Sequence, residues 1–184
     1  MPCRERLPLR CPLVRRPLHA VTSVAGALHH GFELGAGTGL IFQPELGLVG
    51  AGALWAVWFP AWFLAAARGS RRFDPGLAFG AGMSLGAVVL HFRLWPWVAR
   101  HGFPMLTEAE GLPPRHLPPY NAVLYAWGVP AALALTLETP ARWRWAVAGF
   151  AAAMVFRGRA TRHFQWVREQ ARTNPSWWNR AVRA

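Results

Sequence analysis

The sequence predicts an all-α protein, a polytopic transmembrane helical bundle of four spans plus one short membrane-embedded helix and a basic amphipathic C-terminal helix. Three observations carry this expectation. Residues 46–67 (LGLVGAGALWAVWFPAWFLAAA) form 22 positions without a formal charge, closed at once by Arg68, Arg71 and Arg72. Hydrophobic residues make up 53% of 184 and collect in several runs separated by arginine-rich segments, which disfavours a single anchor. All 20 basic residues are arginine, and they flank those runs, where positive charge sets membrane orientation.

Three regions follow from composition. Residues 1–19 are an unstructured basic arm, with five arginines and four prolines. Residues 20–156 hold the transmembrane bundle, and residues 157–184 form a cationic amphipathic tail. Segment one, Ala20–Phe42, is long enough to cross but contains His29, His30, Glu33 and five glycines. Gln43, Pro44 and Glu45 turn the chain into segment two, Leu46–Ala67. As a helix this segment covers roughly 33 Å, enough for a hydrocarbon core of about 30 Å. It carries no polar stripe of the kind a soluble helix needs. Pro60 is tolerated where a neighbouring helix covers the freed backbone.

Segment three, Leu77–Val98, begins apolar and then meets His91, Arg93 and Pro96. Gly80, Gly82 and Gly86, with Ala81 and Ser84, make a small-residue surface suited to close helix packing. Five prolines between residues 99 and 119 predict extended backbone. Segment four is Tyr120–Leu137. Segment five, Trp143–Phe156, offers 14 residues, too few for an ordinary crossing. Beyond it, Ala160, Phe164, Val167 and Ala171 recur at helical spacing, with Arg159, Arg162, Arg168 and Arg172 on other faces. This helix is expected to lie on the membrane surface or on the bundle's own cytosolic face, followed by Trp177 and Trp178 as interfacial anchors.

If segment five does not cross, 17 arginines share one side and three lie opposite. The positive-inside rule then places both termini in the cytoplasm of a multi-pass cell-membrane protein. An alternative in which segment one fails to cross gives 15 against five. The net charge of +12 suits anionic lipid headgroups, and no nucleic-acid motif accompanies it. Cys3 and Cys11 belong to no CxxC or Cys/His cluster, so neither a disulfide framework nor a structural zinc site is expected.

Glu33–Leu40 reads ELGAGTGL, which resembles the glycine-rich first motif of Rossmann-like S-adenosylmethionine methyltransferases. That family requires a preceding strand and an acidic residue about 20 positions later. No Asp or Glu occurs between Glu45 and Asp74, so the glycines are read as a packing surface.

The chemistry-bearing signal is charge inside apolar segments. A carboxylate near the bilayer centre costs on the order of 3 kcal/mol, so Glu33 must be paired, protonated or facing a wet cavity. His29 and His30 lie four and three residues before it, on the same side of a helix. His91 and Arg93 are partners from segment three. Glu33, His29, His30 and His91 are therefore candidate acid–base residues. Trp55, Trp58 and Trp62 form an aromatic wall, and with Arg93, Tyr120 and Asn121 they are candidate substrate contacts. A His-x3-Glu metal site is geometrically open, but no metal or cofactor is expected. The leading reading is a structural or lipid-binding membrane protein in which Glu33 and the histidines lock the helices together. The rivals are a membrane-embedded enzyme acting on a lipid or isoprenoid, and a proton-coupled carrier. A homo-oligomer is expected where four spans must enclose a pathway.

Overall fold

The computed structural model describes residues 14–182; most of the N-terminal arm, with Cys3 and Cys11, lies outside them. The chain is mostly helical. Its principal helices are α1 (Pro17–Ala36), α2 (Gln43–Arg68), α3 (Asp74–Leu94), α4 (Leu117–Leu137), α5 (Trp143–Val155) and α6 (Arg157–Thr173). Among the described residues, α2 and the stretches Arg71–Leu94 and Pro114–Leu137 are long and apolar enough to cross a membrane. Helix α1 has the length but carries the polar cluster of segment one, and α5 has 13 residues, about 20 Å at the α-helical rise.

Helix ends follow local chemistry. Helix α1 starts on Pro17, where a missing N–H costs nothing. The Glu138 carboxylate from the end of α4 accepts the free Leu18 and His19 N–H groups at 2.9 and 3.0 Å. Arg16 joins Asp74, at the start of α3, at 2.8 Å. At its other end α1 stops on Gly37, in the left-handed conformation with φ 94°. Gly37 and Gly39, both at positive φ, thus serve as turn positions, Gly35 within α1 faces open space, and the three do not form the packing stripe expected from sequence. Glu33 itself lies within α1 and follows no strand, which removes the structural context of a nucleotide-binding motif.

Helix α2 begins three residues earlier than expected, but Gly47 is non-helical and sets off its first turn. Near Pro60, Ser23 of α1 donates to the Phe59 carbonyl at 2.7 Å and ties the two helices together. Helix α3 ends at Leu94 because Trp95 precedes Pro96 and is driven to extended backbone. The next residues form an antiparallel hairpin, β1 (Trp97–Arg100) with β2 (Phe103–Leu106), pairing Trp97 with Leu106 and Arg100 with Phe103. His101 and Gly102 both take positive φ, as a two-residue hairpin turn requires. From the sequence alone this stretch reads as the end of segment three and a proline-rich loop.

The most extensive helix pair is α3 with α5. A Cβ on Gly82 would overlap the Ala146 carbonyl oxygen, and one on Gly149 would overlap the Phe79 carbonyl oxygen. The small-residue surface of segment three therefore meets the short fifth helix. Helix α1 packs mainly on α4 and α2. Helix α6 turns its Val167 and Ala171 face inward and leaves its arginines exposed. Trp178 is buried and stacks on Trp166 at 5.4 Å, so of the two expected anchors only Trp177 is exposed. The tail is tied to α1 by Ala181 N–H donating to the Gly37 carbonyl at 3.1 Å and by Arg180 donating to the Gly35 carbonyl.

Candidate functional site

Glu33 is 7% exposed and sits one helical turn after His29 on α1. That spacing puts both side chains on one face, and His29 Nε2 lies 2.9 Å from Glu33 Oε1. From α4, the fully buried Tyr120 hydroxyl donates to the same oxygen at 3.0 Å. From α3, His91 Nε2 approaches it to 3.7 Å. The His29 ring is held flat against Trp127 with centroids 4.8 Å apart.

A second carboxylate completes the cluster. Glu110 lies in the loop before α4, and its Oε1 is 3.2 Å from His91 Nε2. Its backbone takes φ 55°, an uncommon conformation for a residue with a Cβ, followed by Gly111 at φ 73°. Asn121 holds the backbone ahead of this loop: its side chain accepts the Leu106 N–H at 2.8 Å and donates to the Leu106 carbonyl at 3.1 Å. Burial, reinforced by the Glu33 charge, pushes the Glu110 carboxyl up to about 7. The other Glu110 oxygen, Oε2, is buried with no hydrogen-bond partner. No periodic or charge signal in the sequence distinguishes Glu110 from an ordinary loop acid; only folding brings it beside His91.

His91 therefore stands between two carboxylates. Its Nδ1 lies 2.7 Å from the Ala87 carbonyl, which can only accept, so Nδ1 carries a hydrogen. A neutral His91 would then point an Nε2 lone pair at both acids. Electrostatic sense requires a proton on that nitrogen or on a carboxyl, or a cation between them.

The cluster opens on a cavity of about 120 Å³ with walls from all six helices and the Glu110 loop. Its lining is mostly apolar. Trp55, Trp58 and Trp62 all reach it, as do Trp95 and Trp127. The indole N–H groups of these five tryptophans are buried and without an acceptor. His30 also lines it, with Nδ1 on the Gly26 carbonyl at 2.9 Å and its ring 4.2 Å from that of Trp55. At one end α6 contributes His163, whose Nε2 meets the Thr38 carbonyl at 3.3 Å. Burial holds the His163 imidazole below its ordinary value, against the opposing pull of the Glu33 charge and the Thr38 carbonyl.

The candidates named from sequence thus divide. Glu33, His29, His30, His91 and the three tryptophans of α2 surround one space. Arg93 does not: it is exposed, because residues two apart on a helix face different ways. Asn121 acts on the Leu106 backbone ahead of the Glu110 loop, and Tyr120 is buried against Glu33. Comparison with protein-family models, with curated proteins and with solved structures found no match for this chain.

Proposed function

We propose that the protein is a membrane-embedded enzyme that moves protons on an apolar, oxygen-bearing substrate of the lipid or isoprenoid kind. The observation that carries this reading is the meeting of two buried carboxylates and two histidines with an aromatic cavity. A structural lock between helices needs no void beside it, yet here Glu33, His91 and Glu110 border one. A cavity of about 150 Å³ in an apolar core takes a benzene-sized group, so this somewhat smaller space suits a small apolar portion of a substrate. Five unpaired indole donors suit a substrate with acceptor oxygens, and their π-faces favour positive charge that develops during reaction. The strained φ of Glu110 is of the sort retained where function holds it.

In this reading the Glu33–His91–Glu110 line holds and relays the proton, and His29 and Tyr120 orient Glu33. Helix α1 crosses the membrane with α2, α3 and α4, and the shorter α5 runs beside α3 from the Glu138 end of the bundle to the end where Phe156 meets Phe42. Because the tail packs at the Gly37 end of α1, opposite the end where Arg16 meets Asp74, the two termini lie at opposite ends of the bundle, and the expectation of both termini on one side with 17 arginines is not kept.

Lipid analysis of matched strains tests the proposal. A deletion strain should accumulate an apolar, oxygen-bearing lipid that wild-type protein removes. Glu33→Gln should leave that lipid in place while the protein remains folded at wild-type abundance. An unchanged lipid profile on deletion refutes the enzymatic reading. So does full complementation by Glu33→Gln.

A further inference from the structure

We infer that His29, Glu33 and His91 form a binding site for one divalent first-row transition-metal ion, with Glu110 as a neighbouring carboxylate. The donor atoms of the first three residues all lie within 4.8 Å of one another. Two ligands bound at about 2.1 Å to one ion stand about 3.0–3.4 Å apart in octahedral or tetrahedral geometry. The observed separations from Glu33 Oε1, 2.9 Å to His29 and 3.7 Å to His91, bracket that range.

Ring orientation points the same way. His91 is anchored through Nδ1 to a backbone carbonyl, the second contact that metal-bound histidines ordinarily make, and this leaves Nε2 facing the acids. His29 presents Nε2 to the same oxygen while Trp127 fixes its plane. The unpartnered Oε2 of Glu110 is an independent sign: a carboxylate oxygen 4% exposed at the residue level, beside a cluster of donors, without a hydrogen to accept. Two carboxylates gathered with imidazoles in an apolar pocket call for positive charge between them, which a divalent ion supplies. Imidazole and carboxylate donors without thiolate select the iron-to-zinc range over copper(I), and the imidazoles disfavour magnesium or calcium.

This inference deepens the enzymatic reading and rests on the same pocket. An ion there polarises a substrate oxygen, and Glu110 is left as the group that gives or takes the proton.

Cobalt(II) is the probe. Tag-free full-length protein in detergent, stripped with a chelator, is titrated with Co²⁺ alone and followed by visible absorption. Metal analysis after desalting gives the stoichiometry. One Co²⁺ per chain is expected, with ligand-field bands that Zn²⁺ displaces. Glu33→Gln and His91→Asn should each weaken binding by about tenfold or more, as loss of a ligand demands, while Arg93→Gln leaves it unchanged. X-ray absorption of the wild-type cobalt complex gives a reading that depends on no variant, and two imidazoles are expected in its inner shell. Binding that never saturates, or an inner shell without imidazole, overturns the inference. A lipid phenotype in a protein that binds no Co²⁺ sinks the metal site alone. Stoichiometric Co²⁺ without any lipid phenotype upholds the site and sinks the enzyme.

Discussion

Replacing Tyr120 with phenylalanine removes one oxygen from the centre of the site and nothing else. The hydroxyl donates to Glu33 Oε1 at 3.0 Å in a place where the tyrosine is 0% exposed, so water does not take over the bond. A hydrogen bond to a charged group contributes about 1.5–3 kcal/mol, and here Glu33 keeps His29 and His91, which favours a cost of about 2 kcal/mol. For a chain of this size each kcal/mol moves the melting temperature by about 2–4 °C, so Tyr120→Phe should lower it by about 4–8 °C. Far-UV circular dichroism of the purified protein in detergent measures this directly. A double-mutant cycle with Glu33→Gln assigns the loss to the pair: a coupling of about 1–2 kcal/mol is expected for groups in contact. An unchanged melting temperature would refute the reasoning. Costs that simply add, within about 0.5 kcal/mol, would also refute it, because the hydroxyl would then be acting on something other than Glu33.

Two further outcomes are expected. At the α3–α5 contact, Gly82→Ala places a methyl group on the Ala146 backbone and should destabilise by about 1–3 kcal/mol, whereas Gly31→Ala meets open space and should be neutral or stabilising; melting temperatures separate the two. For His163, burial lowers the folded-state value, so the unfolded chain takes up the proton first and stability falls as pH drops below about 6.5. Wild-type protein should thus lose melting temperature between about pH 7.5 and pH 5.5, and His163→Gln should narrow that loss. An equal loss in both proteins would contradict the burial argument.

The helices were legible because hydrocarbon-length apolar runs and their arginine borders are local properties of the chain. Pro96, Gly37 and Gly69 end or cap helices through their own backbone chemistry, which needs no tertiary partner. The small-residue stripe of segment three was visible for the same reason, although its partner, α5, was not. The hairpin escaped notice because its two strands are four residues each and lie among prolines that suggested only extended chain.

Within the site, Glu33 and His29 were visible together because a fixed helical spacing joins them. Placing His91 beside them required knowing which face of α3 turns inward, and Arg93, two residues on, turns outward. Glu110 and His163 come from a loop and from the tail helix, far along the chain from Glu33, and no periodicity links them to it.

What the sequence determined alone is the solvent each segment suits and the cost of a carboxylate in an apolar run, since both follow from composition over one or two helical turns. What the tertiary structure decided is which groups answer that carboxylate: two histidines, a tyrosine and a second acid around a cavity, with Arg93 left outside. The physical reason is range. Helix formation and hydropathy act between near neighbours in the chain, whereas the charge balance of a buried cluster depends on groups that only packing brings together.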